Sequence, residues 1–383
     1  MKAAMKQIYL DYNASTPVAP EVAAVMRTYL DEAFGNPSSG HWASVPAKEA
    51  LEHARGQVAE LLGCAPEEVV FTSGGSEANN LALKGLFFAS KRKRRHIITT
   101  QIEHPAVLAP CRFLERLGAE VTRLPVDGTG RIDPDDLGRA ITPDTILISI
   151  MHANNEVGTI QPVEDCAAVA RENGIPFHSD AAQSVGKIPT RVRDLGIDLL
   201  TIAGHKLYAP KGVGALYIRN GINLEPLIHG AGHEGGRRAG TESALLAAAL
   251  GEACVLARDL SAMKDVKALR DRLWTALKEQ FGNRIALNGH PEERLPNTLS
   301  VSFLGQVGAD LLATIPEIAA SIGSACHSGR VELSPTLKAM GVAPEFGMGA
   351  IRFSLGRATT REDIDEVVSR LAGQSSRQSR SWT

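Results

Sequence analysis

The stretch "DLLTIAGHKLYAPKGVGALYIR", residues 198–219, places one lysine between two apolar runs. The first run, Leu199–Ala203, is short and rich in branched side chains, which predicts a buried strand. The second run, Ala215–Ile218, follows a loop rich in glycine and predicts another strand. Lysine is rarely found fully buried unless it is paired. Lys206, directly after the first predicted strand, therefore needs a chemical reason for its position.

Short strands and helices alternate through the chain on the N-terminal side of this stretch. The segment "EEVVFTSGGSEANNLALKGLFF" (67–88) predicts a strand, a glycine-rich turn and an apolar-periodic helix. This alternation predicts a mostly parallel sheet covered by helices on both faces. Ligands of such sheets bind outside the carboxyl ends of the strands. Polar residues follow five of the predicted strands, namely Ser73–Ser76, His104, Asn155, Asp180 and Lys206.

The pattern changes at about residue 258. The segment "DVKALRDRLWTALKEQFG" (265–282) predicts a long amphipathic helix, and "RLPNTLSVSF" (294–303) predicts a strand. The last helix is predicted in "REDIDEVVSRLAG" (361–373). We therefore predict an α/β protein with a large domain over residues 15–257 and a smaller α+β domain formed by residues 1–14 and 258–383.

Composition excludes several classes of protein. Hydrophobic residues make up 44% and charged residues 22% of the chain, which is ordinary for a globular protein. A net charge of −2 argues against a dedicated nucleic-acid binder. No apolar run approaches the length of a membrane span, and no signal peptide is visible. The five scattered cysteines form neither a disulfide framework nor a metal pattern, so we expect a reducing cytoplasm and no metal site.

The polar residues at the strand ends fit the needs of pyridoxal 5′-phosphate (PLP). This cofactor requires a lysine for a Schiff base and an acidic partner for its ring nitrogen. Asp180 ends the predicted strand before that of Lys206, and Gln183 could donate to the phenolic oxygen of the ring. Gly74 and Gly75 permit close approach of a phosphate at a helix start, where we expect Ser76 to cap the helix.

Ten motifs along the chain together resemble the cysteine desulfurases and selenocysteine lyases, which are class V, fold-type I PLP enzymes. The resemblance covers nearly the whole chain and is highly specific. The motifs are "IYLDYNASTPV" (8–18), "FGNPSS" (34–39), "FTSGGSEANN" (71–80), "EHPAV" (103–107), "MHANNEVGTIQPV" (151–163), "HSDAAQSVGK" (178–187), "GHKLYAPKGVGALYIR" (204–219), "RRAGTES" (237–243), "GSACHSG" (323–329) and "IRFSLGR" (351–357).

The resemblance implies a fold and a cofactor site. The fold is a large domain with a mainly parallel seven-stranded sheet flanked by helices, plus a smaller α+β domain. Lys206 would form the Schiff base, Asp180 would bind the ring nitrogen and Gln183 the phenolic oxygen. His104 would stack on the ring and move protons. The phosphate would be bound by Gly75, Ser76, His205 and, from a second subunit of a homodimer, Thr241.

The resemblance also implies a substrate site and a nucleophile. Asn155 and Arg352 match the positions that hold the substrate carboxylate, and a guanidinium can bind a carboxylate bidentately. Cys326 lies among small residues, which predicts a mobile, exposed loop. Its thiolate would attack the sulfur of PLP-bound L-cysteine, releasing L-alanine and leaving a persulfide on Cys326. The sulfur would pass to an acceptor protein, for iron–sulfur cluster or other sulfur-compound biosynthesis.

Two features of the sequence depart from the family pattern, one at the phosphate site and one around the nucleophile. Ala203 stands where the family commonly has a serine, so we expect one phosphate hydrogen bond fewer, worth roughly 1–2 kcal/mol. The segments "ACHS" (325–328) and "SPTLKAMGV" (334–342) lean toward the selenocysteine lyases. Selenocysteine lyase is therefore the nearest alternative to cysteine desulfurase. A PLP aminotransferase would have no use for Cys326, and a non-catalytic sulfur-carrier scaffold would not need the complete set of site residues.

Overall fold

The computed structural model describes residues 6–31, 33–327 and 330–378. In these ranges the strands, numbered in chain order, are β1 (Ile8–Tyr9), β2 (Val69–Thr72), β3 (Arg95–Thr100), β4 (Ala119–Leu124), β5 (Thr145–Ser149), β6 (Phe177–Asp180), β7 (Leu199–Ala203), β8 (Gly214–Ile218), β9 (Ile285–Asn288), β10 (Thr298–Phe303), β11 (Ile318–Ala319), β12 (Ser321–Ile322), β13 (Ser324–His327), β14 (Arg330–Leu333) and β15 (Ala350–Ser354).

The helices are numbered in the same way. Within the described ranges they are α1 (Pro20–Asp31), α2 (Val45–Leu62), α3 (Gly75–Ala89), α4 (Pro105–Glu115), α5 (Pro134–Ala140), α6 (Val163–Glu172), α7 (Val192–Leu195), α8 (Ala244–Arg258), α9 (Ser261–Phe281), α10 (Gly308–Ala313), α11 (Pro335–Ala339), α12 (Pro344–Gly347) and α13 (Arg361–Gln378). None of these helices meets the length and hydropathy that a membrane span requires.

The main sheet has seven strands in the order β2-β8-β7-β6-β5-β3-β4. Strands β7, β6, β5, β3 and β4 run parallel, whereas β8 is antiparallel to both of its neighbours. The predicted mainly parallel seven-stranded sheet is confirmed. Only ten residues connect β7 to β8. This connection is too short for the helical crossover that parallel strands need, so β8 pairs antiparallel with β7.

Helices cover both faces of this sheet. Adjacent residues of β7 show the two faces directly, since Leu199 packs in a cluster with α3 and α4, whereas Leu200 packs in a cluster with α2 and α8. Successive side chains of a strand point to opposite faces, and every residue of β7 is buried. A continuous apolar strand between two helical layers is the arrangement that the run at 199–203 predicted.

A second, antiparallel sheet has the order β12-β15-β10-β9 and packs against α9 and α13. Ile8 and Leu10 belong to the same hydrophobic cluster as Val301 and Phe353, so the N-terminal segment packs with the C-terminal part of the chain. The proposed division into residues 15–257 and residues 1–14 with 258–383 stays a prediction. Residues 1–5 and 379–383 of that division lie outside the described part.

Candidate active site

A cavity of about 620 Å³ opens at the carboxyl ends of the parallel strands. Polar side chains converge there from segments that are far apart in the sequence. The sequence-predicted residues that line it are Gly75, Ser76, His104, Asn155, Asp180, Gln183, His205, Lys206 and Arg352. The fold therefore brings together nine of the eleven predicted site residues, and the remaining two are Thr241 and Cys326.

Lys206 follows β7 in a single 3-10 turn, Gly204–Lys206. Its Nζ donates to the backbone oxygen of Ala14 at 2.9 Å and also to that of Asn13. Burial and, to a smaller extent, the positive charge of Arg352 together lower the pKa of Lys206 to about 8. The neutral form of an amine is the nucleophilic one. This environment therefore favours formation of a Schiff base by Lys206, as the sequence predicted.

Asp180 ends β6 and faces the cavity as a buried carboxylate. Its Oδ2 accepts a hydrogen bond from Asn79 Nδ2 at 2.7 Å, and its Oδ1 accepts from the backbone N–H of Ala182 at 3.0 Å. These two bonds hold the carboxylate at one orientation. Asn79 lies on α3 inside the motif "FTSGGSEANN", but sequence reasoning did not assign it a role.

The start of α3 forms the phosphate end of the cavity. Gly74 is the N-cap, with a φ of 146° that favours glycine, and Ser76 lies inside the helix, so the prediction that Ser76 caps it is wrong. The first N–H groups of a helix have no partner within the helix and can bind an anion. A Cβ on Gly75 would lie 3.2 Å from the Ala203 Cβ, so these two small residues pack closely.

Two histidines lie at the cavity, and the pKa of each is lowered. Burial lowers the pKa of His104, and Lys206 adds to this, although Asp180 acts in the opposite direction. The Nδ1 of His104 accepts from the N–H of Ala106 at 3.1 Å, so the neutral ring carries its proton on Nε2. Burial lowers the pKa of His205 to about 4. Its buried Nδ1 has no partner among the described residues.

Gln183 and Asn13 share a hydrogen-bond network with the lysine. The Nε2 of Gln183 donates to the backbone oxygen of Asn13 at 3.0 Å, and this oxygen also accepts from Lys206. The side chain of Asn13 is buried and donates to Thr298 Oγ1 at 2.8 Å. Asn13 is a site residue that sequence reasoning missed, although its motif "IYLDYNASTPV" carried part of the family resemblance.

Arg352 projects from β15 toward the same cavity. Its Nη2 contacts Asp11 Oδ1 at 2.7 Å and Ser321 Oγ at 2.7 Å, and its Nη1 donates to the backbone oxygen of Asn155 at 2.8 Å. Its buried Nε has no partner among the described residues. The guanidinium is thus positioned by three residues, and it retains hydrogen-bonding capacity for a carboxylate.

Thr241 is exposed and does not line the main cavity of its own chain. It lines a neighbouring cavity of about 190 Å³, next to Ser73 and Gly212. The nearby Arg238 forms an ion pair with Glu77 on α3, with Nε and Oε1 2.9 Å apart. The segment that carries Thr241 is therefore anchored beside the phosphate end of the cavity.

The backbone around Cys326 differs from the predicted loop. Residues 324–327 form β13, which pairs antiparallel with β14, and Cys326 is opposite Val331. The two strands form a separate two-stranded sheet, so backbone pairing orders a segment whose composition alone suggested a loop. The side chain of Cys326 lies outside the described part of the structure.

The other four cysteines differ chemically from a reactive thiol. Cys111, Cys166 and Cys254 are buried, and Cys64 is half-buried. Burial raises the pKa of each of these thiols to about 12. Because the thiolate is the nucleophile, none of these four is suited to accept sulfur.

The sequence pattern of the class-V aminotransferases matches residues 8–367. The chain belongs to this family. A cysteine desulfurase IscS of Dictyoglomus turgidum is 47% identical over 365 residues, which cover 94% of this chain and 92% of that protein. Cysteine desulfurase 2 of Trichormus variabilis is 48% identical, covering 95% of this chain and 92% of that protein. Within the class-V family, the chain is thus a member of the cysteine desulfurase group.

Solved structures agree with this assignment. A NifS-like protein superposes with a TM-score of 0.91 at 38% identity, covering 97% of this chain and 99% of that one. A structure described as SspA in complex with cysteine superposes with a TM-score of 0.81 at 39% identity, covering 92% of this chain and all of that one. The fold-type I assignment is confirmed.

PLP is the cofactor of this family, and the cavity fits it. Lys206 supplies an amine of lowered pKa, and Asp180 supplies a carboxylate oriented by two hydrogen bonds. The open N-terminus of α3 and the unpartnered Nδ1 of His205 suit a phosphate. These three features meet at one cavity, so the donor set matches the amine, ring-nitrogen and phosphate requirements of PLP.

Proposed function

We propose that this chain is a PLP-dependent L-cysteine desulfurase, which converts L-cysteine to L-alanine and transfers the sulfur to Cys326. The observation that carries the proposal is the meeting of Lys206, Asp180, His104 and Arg352 around one cavity. Each residue alone has ordinary structural explanations. Together they provide an amine, an acid, a proton carrier and a carboxylate binder in a single site.

The residues of the chain divide the work between binding and proton transfer. Bound PLP supplies an electron sink that stabilises negative charge on the substrate carbon atoms. The carboxylate of Asp180, held by Asn79 and Ala182, would bind the ring nitrogen and favour its protonated form. Lys206, whose pKa is lowered to about 8, can take and return a proton near neutral pH. The Nε2–H of neutral His104 can donate a hydrogen bond to a reacting group in the cavity.

Arg352 and Asn155 orient the substrate. The guanidinium is already held by Asp11, Ser321 and the Asn155 carbonyl, so it does not have to be ordered when substrate arrives. A preorganised donor loses little entropy on binding. The carboxylate of cysteine would then bind to the guanidinium of Arg352 where it lines the cavity.

The sulfur transfer balances without an external oxidant. The Sγ of Cys326, as a thiolate, bonds to the sulfur of the substrate, and the bond between that sulfur and the substrate Cβ breaks. The electron pair of the broken bond stays with the carbon side, and a proton at Cβ completes alanine. The products are one alanine and one persulfide on Cys326. A thiol or an acceptor protein then removes the outer sulfur.

The direct test is the product balance with two substrates. Purified enzyme with L-cysteine and a thiol reductant should form alanine and sulfide in equal amounts. The same measurement with L-selenocysteine separates the two nearest functions. Robust cysteine turnover supports a desulfurase, whereas turnover confined to selenocysteine would replace the proposal with a selenocysteine lyase.

Substitution of Arg352 extends this test to the substrate site. Arg352→Ala should raise the KM for cysteine by about 30-fold or more, since removing one partner of a desolvated charge pair costs roughly 2–5 kcal/mol. PLP should remain bound, because Arg352 contacts protein groups at the substrate end. An unchanged KM would place the carboxylate site elsewhere.

We also propose that the enzyme is a homodimer. Phe34 and Trp42 are 74% and 80% exposed, and Leu30 is 63% exposed. The two aromatic residues flank a close backbone contact, because a Cβ on Gly35 would lie 1.9 Å from the oxygen of Ala43. An exposed apolar patch of this kind favours a protein interface. The family resemblance implies that Thr241 of each chain binds the phosphate of its partner in such a dimer.

Light scattering provides the test of this arrangement. The wild type should have twice the mass of one chain, and Trp42→Asp should raise the dimer dissociation constant by about 30-fold or more, because losing an aromatic hot spot of an interface costs about 2 kcal/mol or more. Phe88→Asp, at a residue that is 48% exposed on α3, is the matched control. A monomeric wild type with full PLP affinity would contradict the proposal.

The sulfur acceptor and the compartment are further parts of the proposal. The four described cysteines are free thiols, which suits a reducing cytoplasm. An acceptor should become labelled when radioactive sulfur from cysteine is followed through a cell extract. Labelled sulfur that leaves only as free sulfide would argue against a protein acceptor.

A further inference from the structure

Lys187 is a buried lysine beside the active site that the proposed reaction does not use. It is 8% exposed. Its Nζ donates to the backbone oxygen of Gln183 at 2.8 Å and contacts the side-chain Oε1 of Gln183 at 3.4 Å. Burying an amine is costly unless its hydrogen bonds are made. Both acceptors belong to one residue, and that residue lines the cavity.

These contacts determine which way the Gln183 amide faces. Its Oε1 faces the amine of Lys187, and its Nε2 donates to the backbone oxygen of Asn13. A rotation of the amide by half a turn would place oxygen against the Asn13 oxygen and N–H against the Lys187 amine. The two oxygens could not form a hydrogen bond, and the amide N–H could not donate to the Lys187 amine while that amine is protonated. Lys187 and Asn13 therefore select the same orientation from opposite ends of the amide.

The network continues to the catalytic lysine. The Asn13 oxygen that accepts from Gln183 also accepts from Lys206 Nζ. Two lysines are thus joined through one amide and one carbonyl. A change at Lys187 would be passed to Lys206 by a shift of Gln183, although Lys187 itself does not line the cavity.

We propose that Lys187 is a positioning residue, which holds the Gln183 amide with its nitrogen toward Asn13, Lys206 and the ring oxygen of PLP. The inference rests on the proposed function, because the contact between Gln183 and the ring oxygen belongs to it. A donor to that oxygen draws electron density from it. The oxygen then attracts the proton on the Lys206 nitrogen less strongly, so the positioning of Gln183 adjusts the proton affinity of the site.

The charge of Lys187 is consistent with this role. Burial lowers its pKa to about 7, and the positive charges of Lys206 and Arg352 act in the same direction. The protonated amine has no acceptor lone pair, so Lys187 selects the orientation of Gln183 most strongly below this pKa. Above it, the backbone oxygen of Asn13, which can only accept, still favours the same orientation. The titratable groups that face Lys187 from other segments of the described structure are Lys206, His205, Arg352, Arg357, Tyr12 and Tyr208.

The test is a pH titration of the visible absorption of the bound cofactor. In Lys187→Met, the midpoint of the absorption change should rise by about 0.5–1 pH unit, the equivalent of one net hydrogen bond. Lys48→Met, which removes an exposed lysine on α2, is the control for the loss of one positive charge and should not move the midpoint. If Lys187→Met does not fold, Lys187→Gln gives the same measurement with a neutral polar side chain.

A double substitution distinguishes the positioning of Gln183 by Lys187 from a direct effect of the Lys187 charge on the midpoint. Gln183→Leu should itself raise the midpoint, and adding Lys187→Met to it should cause no further rise. An unchanged midpoint in Lys187→Met, or an equal rise in the Gln183→Leu background, would overturn the positioning role. Absence of any visible cofactor absorption in the wild type would instead refute the proposed function.

Discussion

Replacement of Cys326 by alanine should reduce the formation of alanine and sulfide from L-cysteine by about 10³-fold or more. The carbon–sulfur bond breaks only when a nucleophile accepts the sulfur, and the other described cysteines have thiols with a pKa raised to about 12. PLP binding should be unaffected, because Lys206 and Asp180 remain. The measurement is steady-state alanine formation together with the absorption spectrum of the bound cofactor.

Two further measurements test whether the loss of activity is specific to Cys326 and to cysteine as the substrate. A selenol is more acidic than a thiol and the carbon–selenium bond is weaker, so selenium can leave without a nucleophile. Cys326→Ala should therefore lose much more activity on cysteine than on selenocysteine. Cys64→Ala, at a half-buried thiol, is the matched control and should retain activity. A Cys326→Ala enzyme that desulfurates cysteine at the wild-type rate would refute the persulfide mechanism.

Replacement of Lys206 by alanine should abolish the yellow colour of the protein and reduce turnover by about 10⁴-fold or more. Borohydride reduction of the wild type followed by peptide mapping should place the cofactor on Lys206. The other lysines near the cavity are Lys187 and Lys211. A label on either of them would contradict the assignment, and Lys211→Ala should leave the label on Lys206.

The lowered pKa of Lys206 adds a pH dependence to this prediction. The neutral amine attacks free PLP, and its fraction rises as the pH increases through about 8. An ordinary lysine would reach the same fraction at a pH about 2.5 units higher. The rate at which apoenzyme binds PLP covalently should therefore level off above about pH 9. A rate that continues to rise to pH 11 would show that the site does not lower the pKa.

Much of the sheet and of the site could be predicted from local patterns. The apolar run before Lys206 predicts the buried strand β7, and glycine after apolar runs marks the turns that end strands. In a parallel sheet the carboxyl ends of strands meet at one edge. Asp180 and Lys206 could therefore be placed at the same edge of the sheet from the sequence alone.

Contacts between distant segments could not be predicted in this way. Asn79 and Asp180 are 101 positions apart, and Asp11 and Arg352 are 341 positions apart. Propensity and periodicity describe neighbours within one element and contain no information about which polar side chains meet across elements. The hairpin at Cys326 was missed for a related reason, because small residues are compatible with both a loop and a paired strand.

By itself, the sequence determined the layered α/β fold, the edge of the sheet that carries the site and the residue types that PLP needs. These features follow from short-range rules, in which apolar periodicity selects the element and glycine selects the turn. Only the tertiary structure decided which other side chains hold the cofactor-site residues in place. Lys187 reads as one more lysine after a turn, yet packing buries it against Gln183, because its amine finds hydrogen-bond acceptors there and water is excluded.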